Sequence, residues 1–186
     1  NTYDDNNSLL SGHISHKGVP GVEFSTGSLG HGVCVATGLA LAGILNKTNY
    51  KVFAIVGDGE CNEGTVWETV LFANQFNLSN FTIIVDKNNY QAMGRCSDIL
   101  DTQSLVEKFV SFGCNVDEID GHNHNSIKEA LLKEYDNHKP HIIIANTVKG
   151  KGVSFMENNI VWHYRDPQGD DFINAINELE GIKNAK

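Results

Sequence analysis

Two oxygen-bearing side chains, Asp58 and Asn88, lie thirty positions apart, each just beyond a short apolar run. Residues 52–56 (VFAIV) are too few for a stable helix and rich in β-branched side chains, so they predict a buried strand. Residues 81–85 (FTIIV) predict a second, and a helical pattern over 65–76 lies between them. The stretch is therefore a strand–loop–helix–strand unit, and parallel strands of this kind bind ligands beyond their carboxyl ends. One carboxylate and one amide oxygen from adjacent strand ends suit Mg²⁺. That ion takes few protein carboxylates and fills the rest of its shell with phosphate oxygens and water. Gly57 and Gly59 flank Asp58 and let backbone approach a diphosphate, and the helix that follows offers the positive end of its dipole. Gly-Asp-Gly alone marks a turn more often than a ligand. Asn88 at the next strand end favours the ligand.

The remaining elements must hold these two residues in place. Residues 25–32 (STGSLGHG) form a glycine-rich loop opening onto residues 33–45, which are apolar nearly all round, as in a helix buried between layers. Downstream, residues 105–112 predict a helix, 115–119 a strand and 120–122 a turn. Residues 126–135 are amphipathic, with Ile127, Ala130, Leu131 and Tyr135 on one face, and 141–145 predict another strand. A loop from 147 to about 169 leads to a polar helix over 170–180. Strands alternating with helices imply an α/β fold, a three-layer αβα domain with a mostly parallel sheet and right-handed crossovers. Residues 1–186 read as a single domain.

Composition narrows the functional classes. A net charge of −9 with no basic cluster argues against a nucleic-acid partner. A bound diphosphate must then be neutralised locally, by a metal ion and backbone amides. Cys34, Cys61, Cys96 and Cys114 show no metal-ligand spacing and read as reduced, mostly buried thiols of a cytoplasmic protein. The longest apolar run, 33–45, is too short to span a bilayer, so no membrane role is expected.

The strings GDGECNEGTVWE (57–68) and IIVDKNNYQAMG (83–94) resemble the N-terminal, thiamine-diphosphate-binding section of transketolases. So does TVKGKGVSFMENN (147–159) followed by Trp162-His163, while SLGHG looks most like the short, split members of that family. The resemblance implies thiamine diphosphate and Mg²⁺ as cofactors. The metal ligands would be Asp58, Asn88 and the backbone carbonyl of Tyr90. Cofactor contacts would come from Gly27, Ser28, Leu29, Asp58, Gly59, Glu63, Asn88 and His163. His13 and His163 match the family's substrate histidines, and Glu63 its glutamate that reaches across a subunit interface. His122 and His124 of the DGHN turn carry no catalytic role by this resemblance.

The implied reaction moves a two-carbon ketol unit from a ketose to an aldose, the substrate being a sugar phosphate or a modified sugar. The implied partner is a pyrimidine-binding section or subunit, in a homodimer or heterotetramer. Full-length relatives carry Pro and Gln where this chain has Ser28 and His31, and Pro where it has Ile14. They read WHGKAP where this chain has Trp162-His163-Tyr164-Arg165-Asp166-Pro167, so a bulky ring and a guanidinium stand beside the substrate histidine. The match begins partway into the family's domain, and its opening segment, with a Gly-His pair, is expected to be absent. An E1α-like component of a 2-oxoacid dehydrogenase shares GDG and NEG but is expected to lack TVKGKG with Trp-His. A non-catalytic cofactor-binding subunit is a further alternative.

Overall fold

In the computed structural model the structure describes Asn6 and residues 8–101, 103–135 and 137–184, the last three as backbone only. The rest of the polar opening stretch, residues 1–5 and 7, lies outside the described residues. Helix α1 spans His31–Leu45, and strand β1, Val52–Gly57, follows it. A single 3₁₀ turn, Glu60–Asn62, leads into α2, Gly64–Gln75, and then β2, Phe81–Lys87. A two-residue hairpin, β3 (Tyr90–Gln91) and β4 (Gly94–Arg95), runs into the short α3, Cys96–Ile99. Then come α4 (Leu105–Ser111), β5 (Asn115–Asp120), α5 (His124–Leu132), β6 (His141–Asn146) and α6 (Asp170–Asn184).

The four long strands form one parallel sheet in the order β1-β2-β6-β5. Its register sets Gly57 beside Asp86, Asp86 beside Ala145 and Ile119 beside Ala145, so all four strands end at one level. One face of the sheet presents Ala54, Val56, Ile83, Val85, Ile142 and Ile144 to α1, α2 and α4. Alternation at period two, with Val and Ile at the buried positions, is what lets these short runs seat helices. Trp67 belongs to that core: its ring lies 4.9 Å from Phe109 and 5.2 Å from Phe112, and its indole N–H donates to the Cys61 carbonyl.

Three expectations need correction. The helix expected over 126–135 is α5, which starts earlier and ends at Leu132. Asn123 caps it by accepting from the Asn125 and Ser126 amides, and Lys133 turns extended. Tyr135 therefore leaves the helical face and donates instead to the Asp117 carboxylate, which also accepts from Lys133 and His141. Burial pushes the Asp117 carboxyl upward, but those three donors together hold it below the usual carboxylate range. Second, α1 is not enclosed all round: Val33, Ala36 and Ala40 are buried, whereas Leu39 and Leu45 are exposed. Third, only Cys61 and Cys114 are buried; Cys96 is half-buried and Cys34 exposed. On the sheet's other face Phe53 and Ile55 are 47% and 74% exposed, so among the described residues no helix covers that end of β1. None of the described helices is long and apolar enough to cross a membrane.

Candidate cofactor site

Asp58 follows β1 by one residue, and its amide still donates to the Asp86 carbonyl at 3.1 Å, extending the ladder past the strand. Its side chain is 4% exposed. One carboxylate oxygen accepts from the Gly59 amide (2.8 Å) and the other from the Asn89 amide (2.5 Å). Asn88 lies one residue beyond β2, its side-chain oxygen accepting from the Tyr90 amide at 2.9 Å. Asn89 adopts the left-handed conformation (φ 64°), which folds the chain back so that its amide meets Asp58. The two strand ends are thus stitched together through the residues that flank them.

Burial pushes the Asp58 carboxyl above its ordinary value. The Asn89 and Gly59 amides and the Cys96 thiol oppose that shift, and neighbouring Asp86 adds to it. Among the described residues no basic group pairs with Asp58. A buried carboxylate with amide donors but no counter-charge is what a cation would complete. The described residues contain no cluster of three His, Cys, Asp or Glu able to hold a metal by themselves. A cation here must draw on amide and carbonyl oxygens and on phosphate, so the donor set fits Mg²⁺ carrying a diphosphate.

The glycine-rich loop is held against this centre by a residue that sequence reasoning missed. Glu60 accepts from the Gly30 amide at 2.7 Å and from the Gly57 amide at 3.4 Å, clamping the loop to the end of β1. Its place inside GDGE was the available signal, but nothing local to residues 57–60 points to a partner at position 30. Gly30 has φ 77°, and a Cβ there would collide with the Thr65 hydroxyl and meet the Glu63 Cβ at 3.1 Å. Only glycine lets the loop sit so close to α2. That contact brings Glu63 next to the loop; Glu63 is the N-terminal cap residue of α2, yet its side chain makes no capping bond. Gly27, at φ 137°, lies directly beneath the His13 ring, where a Cβ would overlap the imidazole. His16 closes the same turn by bonding Ser25 through both backbone and ring. Gly27, Ser28, Leu29 and Glu60, with Phe53 and Ile55, line a cavity of about 370 Å³ between the loop, α1 and β1.

His163 ends a 3₁₀ turn, Ile160–His163, in which Asn159 accepts from the Val161 amide. The adjacent indole, Trp162, donates to the Phe155 carbonyl at 3.1 Å. Burial, reinforced by the Lys149 ammonium 3.5 Å from Nδ1, holds the imidazole below its usual value and so neutral near pH 7. Lys149→Met should raise the His163 pKa toward that of an ordinary histidine. Imidazole ¹⁵N shifts followed through a pH titration measure it, and an unmoved midpoint would separate Lys149 from His163. His122 accepts from the Val148 amide at 2.8 Å, a bond that braces the start of the same loop. Among the described residues no hydrogen bond joins His13, Glu63, Asp58 and His163 to one another.

Parallel strands with a GDG turn, an Asn-bearing strand end and a glycine-rich loop are the arrangement that the resemblance to thiamine-diphosphate-binding domains implies. Residues 1–186 match the family described as the transketolase thiamine diphosphate binding domain, and the chain belongs to that family. It is 44% identical over 180 residues to one subunit of the apulose-4-phosphate transketolase of Actinobacillus succinogenes, covering 96% of this chain and 65% of that protein. To the corresponding apulose-4-phosphate transketolase subunit from Phocaeicola vulgatus it is 38% identical, covering 92% of this chain and 61% of that one. The chain thus spans somewhat under two thirds of these curated relatives. Among solved structures it is similar to the transketolase of Campylobacter jejuni, with TM-score 0.81 and 30% identity over 86% of this chain and 26% of that one. A Pichia stipitis transketolase structure superposes at TM-score 0.89 with 23% identity over 96% of this chain and 28% of that one, a likeness of fold alone.

Proposed function

We propose that this chain is the thiamine-diphosphate and Mg²⁺ binding domain of a ketol-transferring enzyme, completed by a pyrimidine-binding subunit or section. The observation that carries this reading is Asp58, buried beside Asn88 at adjacent strand ends and paired with no basic side chain among the described residues. Thiamine diphosphate, when bound, supplies the carbon nucleophile and the electron sink for ketol transfer. Asp58, Asn88 and the Tyr90 carbonyl would hold the metal, and Gly59, with no side chain, would let a diphosphate approach the backbone beside it. The backbone of Gly27, Ser28 and Leu29 would lie along the aminopyrimidine. Glu63, its side chain making no capping bond, is available toward a partner's glutamate.

His13 and His163 would orient the sugar. His163, kept neutral near pH 7, can donate or accept a hydrogen bond to a hydroxyl without carrying a charge. Both curated relatives are named as apulose-4-phosphate transketolase subunits, and a third, 35% identical, is named as a 6-deoxy-6-sulfo-D-fructose transketolase subunit of Clostridium. A modified ketose, or its phosphate, is therefore the substrate class proposed here. The E1α alternative has no support from the loop after β6, which carries the Trp162-His163 segment.

The test combines the chain with its pyrimidine-binding partner, thiamine diphosphate, Mg²⁺ and a panel of ¹³C-labelled ketoses with aldose acceptors. Transfer of the labelled two-carbon unit is expected. Release of carbon dioxide from 2-oxoacids instead, or cofactor binding without any transfer, would overturn the reading.

A further inference from the structure

The β3–β4 hairpin pairs only Tyr90 with Arg95 and Gln91 with Gly94, too little ladder to hold its own position. Two tyrosines tie it instead to the loop that carries His163. Tyr90, in the hairpin, donates its hydroxyl to the Asn158 carbonyl at 2.7 Å. Tyr164, in the loop, donates its hydroxyl the opposite way, to the Ala92 carbonyl at the hairpin turn, at 2.8 Å. These bonds grip the loop on both sides of Trp162-His163. The Tyr164 ring stands edge-on to the His163 ring at 4.9 Å, and the Arg95 guanidinium lies 5.3 Å from the Tyr90 ring centre.

The other end of the hairpin is the proposed cation site. Asn88 accepts from the Tyr90 amide, and the Asn89 amide donates to Asp58. An unbroken series of contacts therefore runs from Asp58 through the hairpin to His163. The far side of the loop is fixed independently, because the Ser154 amide and hydroxyl both donate to the Glu178 carboxylate of α6. What the tyrosines decide is the short stretch between Asn158 and Tyr164.

We propose that Tyr90 and Tyr164 form a two-way strap that positions His163 over the cation-binding hairpin, making them positioning residues for the reaction. The role in turnover rests on the functional reading above; the strap itself does not. On this account the hydroxyl of Tyr164, and not only the bulk of its ring, is what the site uses. The residue is 70% exposed, so its ring makes a poor wedge while its hydroxyl still reaches Ala92.

The test begins with the chain alone, labelled with 5-fluorotryptophan and read by ¹⁹F NMR. It has two tryptophans, so Trp162 reports on the His163 turn and Trp67 on the core. In the double variant Tyr90→Phe, Tyr164→Phe the Trp162 line should shift toward the solvent value or broaden, while the Trp67 line stays. An unchanged Trp162 line would overturn the strap.

The second arm uses the assembled enzyme with Mg²⁺ and thiamine diphosphate. Tyr164→Phe keeps the ring and should lower kcat about three- to tenfold, the scale of one hydroxyl hydrogen bond. Cofactor affinity should stay as it was. Equal kcat for Phe and Tyr, with loss only on changing Tyr164 to Gly, would show that Tyr164 acts by bulk and would sink the proposal. If the wild-type assembly transfers no ketol unit, the functional reading fails, and the ¹⁹F result still decides the strap.

Discussion

Asp58→Ala is expected to abolish Mg²⁺-dependent binding of thiamine diphosphate by the assembled enzyme. Asp58 is the buried carboxylate at the strand ends, and among the described residues no cation neutralises it. Its two oxygens are already aimed by the Gly59 and Asn89 amides, so a cation meets a preset ligand. Removing one member of a buried charge pair costs about 3–5 kcal/mol, which in affinity is a loss of roughly a hundredfold or more. Alanine also frees the Asn89 amide, loosening the turn that carries Asn88. Asp58→Asn keeps the shape and loses the charge, so it should fall between wild type and alanine. Isothermal calorimetry with and without Mg²⁺ measures the effect, with far-UV circular dichroism to confirm that the fold persists. Unchanged affinity in Asp58→Ala would remove this residue from the site.

The 186-residue chain, assayed alone with cofactor, Mg²⁺ and a broad set of ketoses, should turn over nothing. In the proposed reading its own residues would hold a diphosphate and orient a sugar. Activating the aminopyrimidine requires a carboxylic acid against that ring, which the family resemblance assigns to a pyrimidine-binding section. On this side of the cofactor the glycine loop offers backbone, and Glu60, the acid bonded to that loop, is committed to the Gly30 and Gly57 amides. Glu63, at the cap of α2 beside the loop, would face a partner's glutamate. Adding the partner should raise the rate from background to that of an ordinary enzyme, many orders of magnitude. Sustained ketol transfer by the chain alone would show that the acid comes from within these residues and that the partner is dispensable.

Sequence periodicity by itself determined most of the frame. β1, β2 and β6 are short apolar runs rich in β-branched residues, β5 is a more polar strand carrying Val116 and Ile119, and the placing of Asp58 and Asn88 just past two of the apolar runs follows directly. The glycines at 27 and 30 were legible as a loop from spacing alone, and a histidine beside a tryptophan at 162–163 stood out within its motif. Helix ends were less legible, because the cap of α5 depends on which of several polar residues in 120–126 wins the amides. Asn123 wins, and Tyr135 is released to an acid on a neighbouring strand.

Tertiary structure alone decided the long-range contacts. Glu60 meets Gly30 only because β1 and α1 pack side by side. Tyr90 reaches Asn158, and Tyr164 reaches Ala92, because the loops after β2 and β6 leave adjacent strands at the same level. The physical reason is range: hydrophobic period and turn chemistry are properties of neighbours along the chain. A hydrogen bond between loops far apart in sequence exists only once the sheet register has fixed where each strand ends.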